Sequence, residues 1–335
     1  MDNSHTRGAG ILVKTCADLR PGEKAYIISD PATDSIADFI HIRCKEVTGQ
    51  VRRDSIEAQR MHGEPPPARV GESMLWADVV FCLTSTSMAH TPERKRATDK
   101  GARFLSLPDY TLDILGGESL LFDFHGAVPF ARELAGILDA GSQVRITTGR
   151  GTDLRFSIAG RAANSCPGVC LEPGALASPP DAEVNIAPLE ESAEGVVCVD
   201  GSIPCRDIGA LQGRQVTLRV SQGKIGAIQG DISQILERMF NETGAPAART
   251  LGEFGIGLNP KASLTGRMLE DEGCAGTIHL GFGSNSTIGG TNVVAFHLDF
   301  VIMMPAVWVD GRRIMNGGIP EWGSEAVRAV FARRT

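Results

Sequence analysis

Residues 77–107, ADVVFCLTSTSMAHTPERKRATDKGARFLSL, read as one complete strand–helix–strand unit. Residues 77–83 form a short, mostly apolar run, the pattern of a strand buried on both faces. Thr91-Pro92-Glu93 starts a helix, because proline is tolerated at the first helical position, where its missing N–H has no partner to lose. Gly101 ends that helix, and residues 102–107 form the next apolar run. Upstream, residues 25–30 make a similar run closed by Asp30 and Pro31. A helix is predicted over 34–44, with Ile36, Phe39 and Ile40 on one face. His62-Gly63-Glu64-Pro65-Pro66-Pro67 is a loop, since consecutive prolines continue neither a helix nor a central strand. Strands alternating with helices at this spacing predict a parallel sheet.

From Gly141 the pattern changes. Short β-type runs at 143–148, 153–158, 195–199, 215–220 and 224–228 alternate with turns. Helix signals are confined to 232–241 and 260–270. Further β-type runs follow at 277–282, 293–300 and 307–309, and Asp310-Gly311 predicts a hairpin turn. The expected organisation is an α/β domain with a parallel sheet over 1–140. A β-rich α+β domain carrying the metal site is expected over 141–335.

Hydrophobic residues at 42% and charged residues at 22% exclude wholesale disorder. A net charge of −7 and only 5% aromatics argue against a nucleic-acid binder. No apolar run approaches the roughly 18–20 residues that span a bilayer. The longest runs from Phe300 to Val309 and contains Pro305. Residues 1–8 show no signal-peptide pattern, so a cytoplasmic location is expected. The eight cysteines include no C-x-x-C pair and are expected to be free thiols.

Candidate chemistry concentrates in the second half. His297-Leu298-Asp299 places an imidazole and a carboxylate two apart in a β-type run, and i and i+2 share a face of a strand. His279 sits in a second such run, Thr277-Ile278-His279-Leu280-Gly281. Two histidines and a carboxylate suit Zn, Co, Mn or Fe(II). Glu253 lies among glycines and apolar residues at 251–257, and Glu183 lies in the apolar run 182–188. A carboxylate buried there needs a partner. Together these five residues are enough for a two-metal centre. The other histidines carry weaker signals: His5 falls in a terminus expected to fray, His41 in a helix, His62 and His125 in loops. His90 precedes a helix start and could face a ligand.

Residues 183–195, 252–260, 276–283 and 295–300 resemble, in order and spacing, segments of the aminopeptidase T (thermophilic metallopeptidase) family. The resemblance covers most of the chain and is strongest from about 145 to 318. It implies a two-domain fold, a homodimer that encloses the site, and a dinuclear metal centre held by Glu183, Glu253, His279, His297 and Asp299. The implied function is a metal-dependent hydrolase, aminopeptidase-like, cleaving an amide bond of a short peptide or amino-acid amide with Zn, Co or Mn. Glu253 would bridge the metals, and Glu183 would be a ligand or general base. The family's further carboxylate and catalytic tyrosine fall on Cys274 and Ser286 here, with Glu270, Asp271 and Glu272 nearby but out of register.

The chain also resembles the 2,5-dihydroxypyridine dioxygenases, at His297-x-Asp299 and at Glu190-x-Ser192-Ala193-Glu194-Gly195. Those enzymes hold one Fe(II), have a histidine at the place of Glu253 and lack the acid at Glu183. Retention of both glutamates favours the hydrolase. The alternative is a mononuclear Fe(II) ring-cleaving dioxygenase, with His279, His297 and Asp299 as a two-His-one-carboxylate triad.

Overall fold

The computed structural model describes residues 3–325 and 328. The chain divides into two units, Met1–His125 with Gly168–Pro180, and Gly126–Pro167 with Asp181–Thr335.

The first unit is α/β, as expected. Its five strands are parallel, in the order Val51–Ser55, Ala25–Ser29, Val79–Leu83, Arg103–Ser106, Leu176–Ala177. Ala25–Ser29 and Val79–Leu83 are buried at every position, which is why they read as continuous apolar runs. Val51–Ser55 lies at the edge, partly exposed, and its Val-Arg-Arg-Asp-Ser sequence carries no strand signal. Helix Asp34–Val47 buries Ile36, Ala37, Ile40 and Cys44. Helix Pro92–Asp99 is capped by Thr91, whose hydroxyl accepts the Arg94 N–H at 3.2 Å. His5 is not in a frayed terminus: it lies in helix Asn3–Ile11 and meets the Phe39 ring edge-on at 5.6 Å.

The second unit holds two antiparallel sheets. The eight-stranded sheet runs Lys224–Gly230, Val216–Ser221, Glu194–Val199, Asp153–Ser157, Gln143–Thr147, Ala306–Val309, Arg312–Asn316, Ile319–Pro320. Asp310 and Gly311, with φ of 48° and 81°, make the expected hairpin turn between Ala306–Val309 and Arg312–Asn316. The seven-stranded sheet runs Gly209–Ala210, Ser202–Ile203, His297–Met303, Thr277–Gly283, Leu251–Gly257, Glu183–Ile186, Asn164–Cys166.

Four details differ from expectation. The break near residue 140 falls inside the second unit. Helix Phe124–Asp139 packs there, with Phe130 stacked on Trp322 at 4.9 Å and Glu133 accepting the Gly323 N–H. That helix also contains His125, expected in a loop. The helix signal at 260–270 shrinks to Met268–Asp271, and the run at 293–300 becomes a strand only from His297. Among the described residues no helix is long and apolar enough to cross a membrane.

Candidate metal centre

Four neighbouring strands of the seven-stranded sheet bring Glu183, Glu253, His279, His297 and Asp299 to one face. Cross-strand partners share a face, and every one of the five stands opposite a glycine. Glu183 pairs with Gly257 and His279 with Gly255. Glu253 and Asp299 flank Gly281, and His297 pairs with Gly283. A Cβ on Gly255 would lie 2.0 Å from the His279 ring. One on Gly281 would lie 2.7 Å from His297 and 2.8 Å from Asp299 Oδ1. The glycines clear the floor on which the polar side chains converge. The opposite face carries Phe254, Ile256, Ile278, Leu280, Phe282, Leu298 and Phe300, all buried. A register shift just before Glu253 re-aims that side chain, the usual effect of a bulge beside a functional site.

His279 Nε2 lies 3.1 Å from Glu183 Oε2 and 3.7 Å from Glu253 Oε1. His297 Nε2 lies 3.3 Å from Glu253 Oε2 and 3.2 Å from Asp299 Oδ1. The five residues therefore form two overlapping groups, Glu183–Glu253–His279 and Glu253–His297–Asp299, each with its ligand atoms within 4.8 Å of one another. Glu253 is the shared member. The triad His279–His297–Asp299 considered from sequence is not one of these groups: each histidine faces two carboxylates, with Glu253 common to both. His279 is buried, while the His297 side chain is 33% exposed and marks the open side.

Burial alone would depress the pKa of both imidazoles, but the adjoining carboxylates reverse this and hold both well above the ordinary histidine range. Burial likewise works against ionised Glu253 and Asp299, yet the imidazolium partners hold both below the usual carboxylate range. Two acids that sequence reasoning did not assign stand behind the cluster. Asp181 and Glu272 are pushed well above the carboxylate range, first by burial and then by the charge of Glu183 and Asp299 respectively. Asp181 stands two positions before Glu183, the same spacing that singled out His297 and Asp299. Cys274 is buried with its thiol on the Ala262 carbonyl at 3.4 Å, and Ser286 is exposed on the connection after Thr277–Gly283.

The cluster fits a divalent cation. In the metal-free protein two imidazolium protons supply the positive charge that the carboxylates require, and a 2+ ion can replace both. Glu183 Oε2 is buried and faces His279 Nε2 at 3.1 Å, so a carboxylate oxygen and an imidazole nitrogen are offered together. Mixed nitrogen and oxygen donors suit first-row metals.

This charge balance sets a pH dependence. The stability contributed by His279 and His297 is complete below the unfolded-state value of about 6.5 and is lost as pH rises through their raised folded values. Asp181 and Glu272, held neutral, act in the same direction, because ionising them in place is costly. The acid-side loss, set by Glu253 and Asp299, lies below about pH 4.5. The melting temperature of chelator-treated protein should therefore fall from about pH 6 to about pH 9, and more steeply than that of metal-loaded protein. Calorimetry across that range checks it; a flat profile in chelator contradicts the charge assignment.

Residues 15–320 match the family model described as NicX: 2,5-dihydroxypyridine 5,6-dioxygenase. The chain is 23% identical over 312 residues, 87% of either chain, to 2,5-dihydroxypyridine 5,6-dioxygenase of Pseudomonas putida KT2440. A solved structure of 2,5-dihydroxypyridine dioxygenase from Pseudomonas putida KT2440 superposes with a TM-score of 0.82 at 18% identity, covering 97% of this chain and 99% of that one. Wild-type AmpT from Thermus thermophilus superposes with a TM-score of 0.67 at 16% identity, covering 95% and 99%. Both likenesses fit the α/β and β-rich architecture. The expectation of an aminopeptidase-like metallohydrolase is overturned by the dioxygenase family match, which the likeness to AmpT does not offset because it extends to the fold alone. The two retained glutamates, which favoured a hydrolase, outweighed what Cys274 and Ser286 already signalled: the peptidase acid and tyrosine are absent.

Proposed function

The chain belongs to the NicX family of 2,5-dihydroxypyridine 5,6-dioxygenases, and from that premise we propose that it is a metal-dependent dioxygenase opening the ring of a small dihydroxylated aromatic, a dihydroxypyridine first among candidates. The observation that carries the proposal is the Glu253–His297–Asp299 group, in which both carboxylates are buried and His297 is exposed.

In this reading Glu253, His297 and Asp299 hold one Fe(II), and His279 and Glu183 complete the charge set around it. Bound there, Fe(II) would supply open positions at which O₂ and the dihydroxylated ring could meet, the ring itself being the source of the electrons that reduce O₂. The protein's part is placement. The Ser284 carbonyl accepts from His297 Nδ1 at 2.9 Å, which leaves Nε2 turned towards Glu253 and Asp299. Asn185 donates to Glu183 Oε1 at 2.7 Å and fixes that carboxylate. The apolar opposite face of the sheet, including the Phe282–Phe300 pair, keeps water from the back of the site. Asp181 and Glu272 retain their protons beside the donors and limit the site's negative charge.

The test is an oxygen-electrode assay of protein loaded anaerobically with Fe(II), using 2,5-dihydroxypyridine, isomeric dihydroxypyridines and dihydroxybenzenes. The expected result is one O₂ consumed per ring lost for at least one dihydroxypyridine, and none with Zn, which has no redox chemistry. Iron bound at full occupancy with no O₂ uptake on any of these rings would sink the proposal.

A further inference from the structure

The strands bearing His279 and His297 are joined by residues 284–296, and two side chains from outside this connection clamp it. Glu190 Oε1 accepts the Asn285 amide at 3.0 Å and the Thr291 backbone N–H at 2.7 Å. Its Oε2 accepts Arg161 at 2.6 Å, and Arg161 donates its other terminal nitrogen to the Gly289 carbonyl at 2.5 Å. The two side chains are only 19% and 12% exposed. Asn285 is fully buried and turns its oxygen to the Asn292 N–H at 2.8 Å. A Cβ on Gly290 would lie 2.0 Å from the Asn285 amide, so glycine is required for Asn285 to reach Glu190.

The clamp reaches the donor cluster at two points. Ser284, next to Asn285, offers its carbonyl to His297 Nδ1 at 2.9 Å. A carbonyl can only accept, so Nδ1 carries the proton and Nε2 is the atom available to a metal. On the other side, the Ile288 carbonyl accepts Asn164 at 3.4 Å, Asn164 donates to Asn185 at 2.9 Å, and Asn185 holds Glu183 at 2.7 Å.

We propose that Glu190, braced by Arg161, is a positioning residue for the metal centre: it fixes residues 284–291 so that the Ser284 carbonyl holds the His297 ring by its Nδ1–H and keeps Nε2 turned towards the metal donors. The proposal rests on the cluster binding a divalent metal. Partners that orient a histidine ligand typically contribute about 10–100-fold to metal affinity.

The experiment uses full-length protein with two readouts. Co²⁺ affinity is measured on chelator-treated protein by indicator competition. The His297 Nδ1–H proton is observed by NMR in the metal-free protein and assigned through its loss in His297→Asn. Glu190→Ala should bind Co²⁺ about 10–100-fold more weakly and lose the His297 ring signal. Glu190→Gln, which keeps an acceptor oxygen for Asn285 and Thr291, should retain the signal and bind closer to wild type. A general loss of structure would not produce that rescue. Should Glu190→Ala fail to fold, Asn285→Ala cuts the same link and is read the same way. Wild-type affinity together with an intact His297 signal in the alanine variant overturns the proposal. Absence of Co²⁺ binding by wild type overturns the metal reading beneath it, and the ring signal, read without metal, tells the two failures apart.

Discussion

Glu253→Ala is expected to abolish stoichiometric divalent-metal binding and, with it, all oxygen uptake above background. Glu253 is the single residue common to both donor groups. Its two oxygens lie 3.7 Å from His279 Nε2 and 3.3 Å from His297 Nε2, so one carboxylate serves two imidazoles. Removing it costs the metal a donor and leaves two cationic rings, His279 buried and His297 partly exposed, short of a counter-charge. The loss should exceed the roughly 10–100-fold typical of residues that merely orient a ligand. Glu253→Gln keeps the volume and separates charge from packing: it should fold like wild type, bind metal far more weakly, and show lowered pKa values at His279 and His297. Metal content by atomic emission and histidine titration by NMR read both effects. Wild-type metal occupancy in either variant would remove Glu253 from the centre.

Gly255→Ala should be nearly as damaging, although it alters no polar group. The backbone there is ordinary strand and alanine can adopt it, so the cost comes from space alone. The new methyl would lie 2.0 Å from the His279 ring, at a buried position in mid-sheet. Neither strand can withdraw without breaking its ladder, so the imidazole has to leave its rotamer or the sheet has to deform. Overpacking of this kind typically costs about 1–3 kcal/mol. Displacing His279 should also weaken metal binding by at least about tenfold, as for disturbed ligand orientation. Gly281→Ala offers a graded comparison. Its methyl would meet His297 at 2.7 Å and Asp299 Oδ1 at 2.8 Å, both looser than the 2.0 Å at Gly255, and the His297 ring is one-third exposed and has room to yield. The expected order of damage is therefore Gly255→Ala above Gly281→Ala. In a His279→Ala background, Gly255→Ala should cost no further metal affinity. An additive loss there would show that the glycine acts on stability alone.

The polar half of this centre was legible because strands expose their geometry through alternation. His297 and Asp299 sit two apart, and Glu253 and His279 stand out as charged or basic residues in apolar runs. The role of the glycines opposite them is not legible in this way, because cross-strand register is a non-local property that no single window contains. Asp181 and Glu272 were missed for a related reason. Their significance is burial beside other carboxylates, which depends on the fold. The first unit shows the same division. Central strands that are covered on both faces announce themselves, whereas the edge strand Val51–Ser55, half in solvent, reads like a loop. The choice of reaction failed where it relied on the kind of ligand. The two glutamates were weighed above the missing peptidase acid and tyrosine, and the family match over residues 15–320 carried the decision.

Leu176–Ala177 completes the parallel sheet by pairing with Phe104–Leu105, although residues 126–167 in between belong to the other unit. The chain is therefore interlaced, and this affects its birth on the ribosome. Amino-terminal domains usually fold as units while the rest is still being made. Here the Arg103–Ser106 edge stays unpaired until residue 177 has emerged, by which time Gln143–Thr147 and Asp153–Ser157 are already outside and still without most of their own sheet. An open strand edge is a template for pairing with other chains. The nascent protein passes through a window in which its most finished part is also its most adhesive, and a fragment cut at residue 140 would remain in that window permanently.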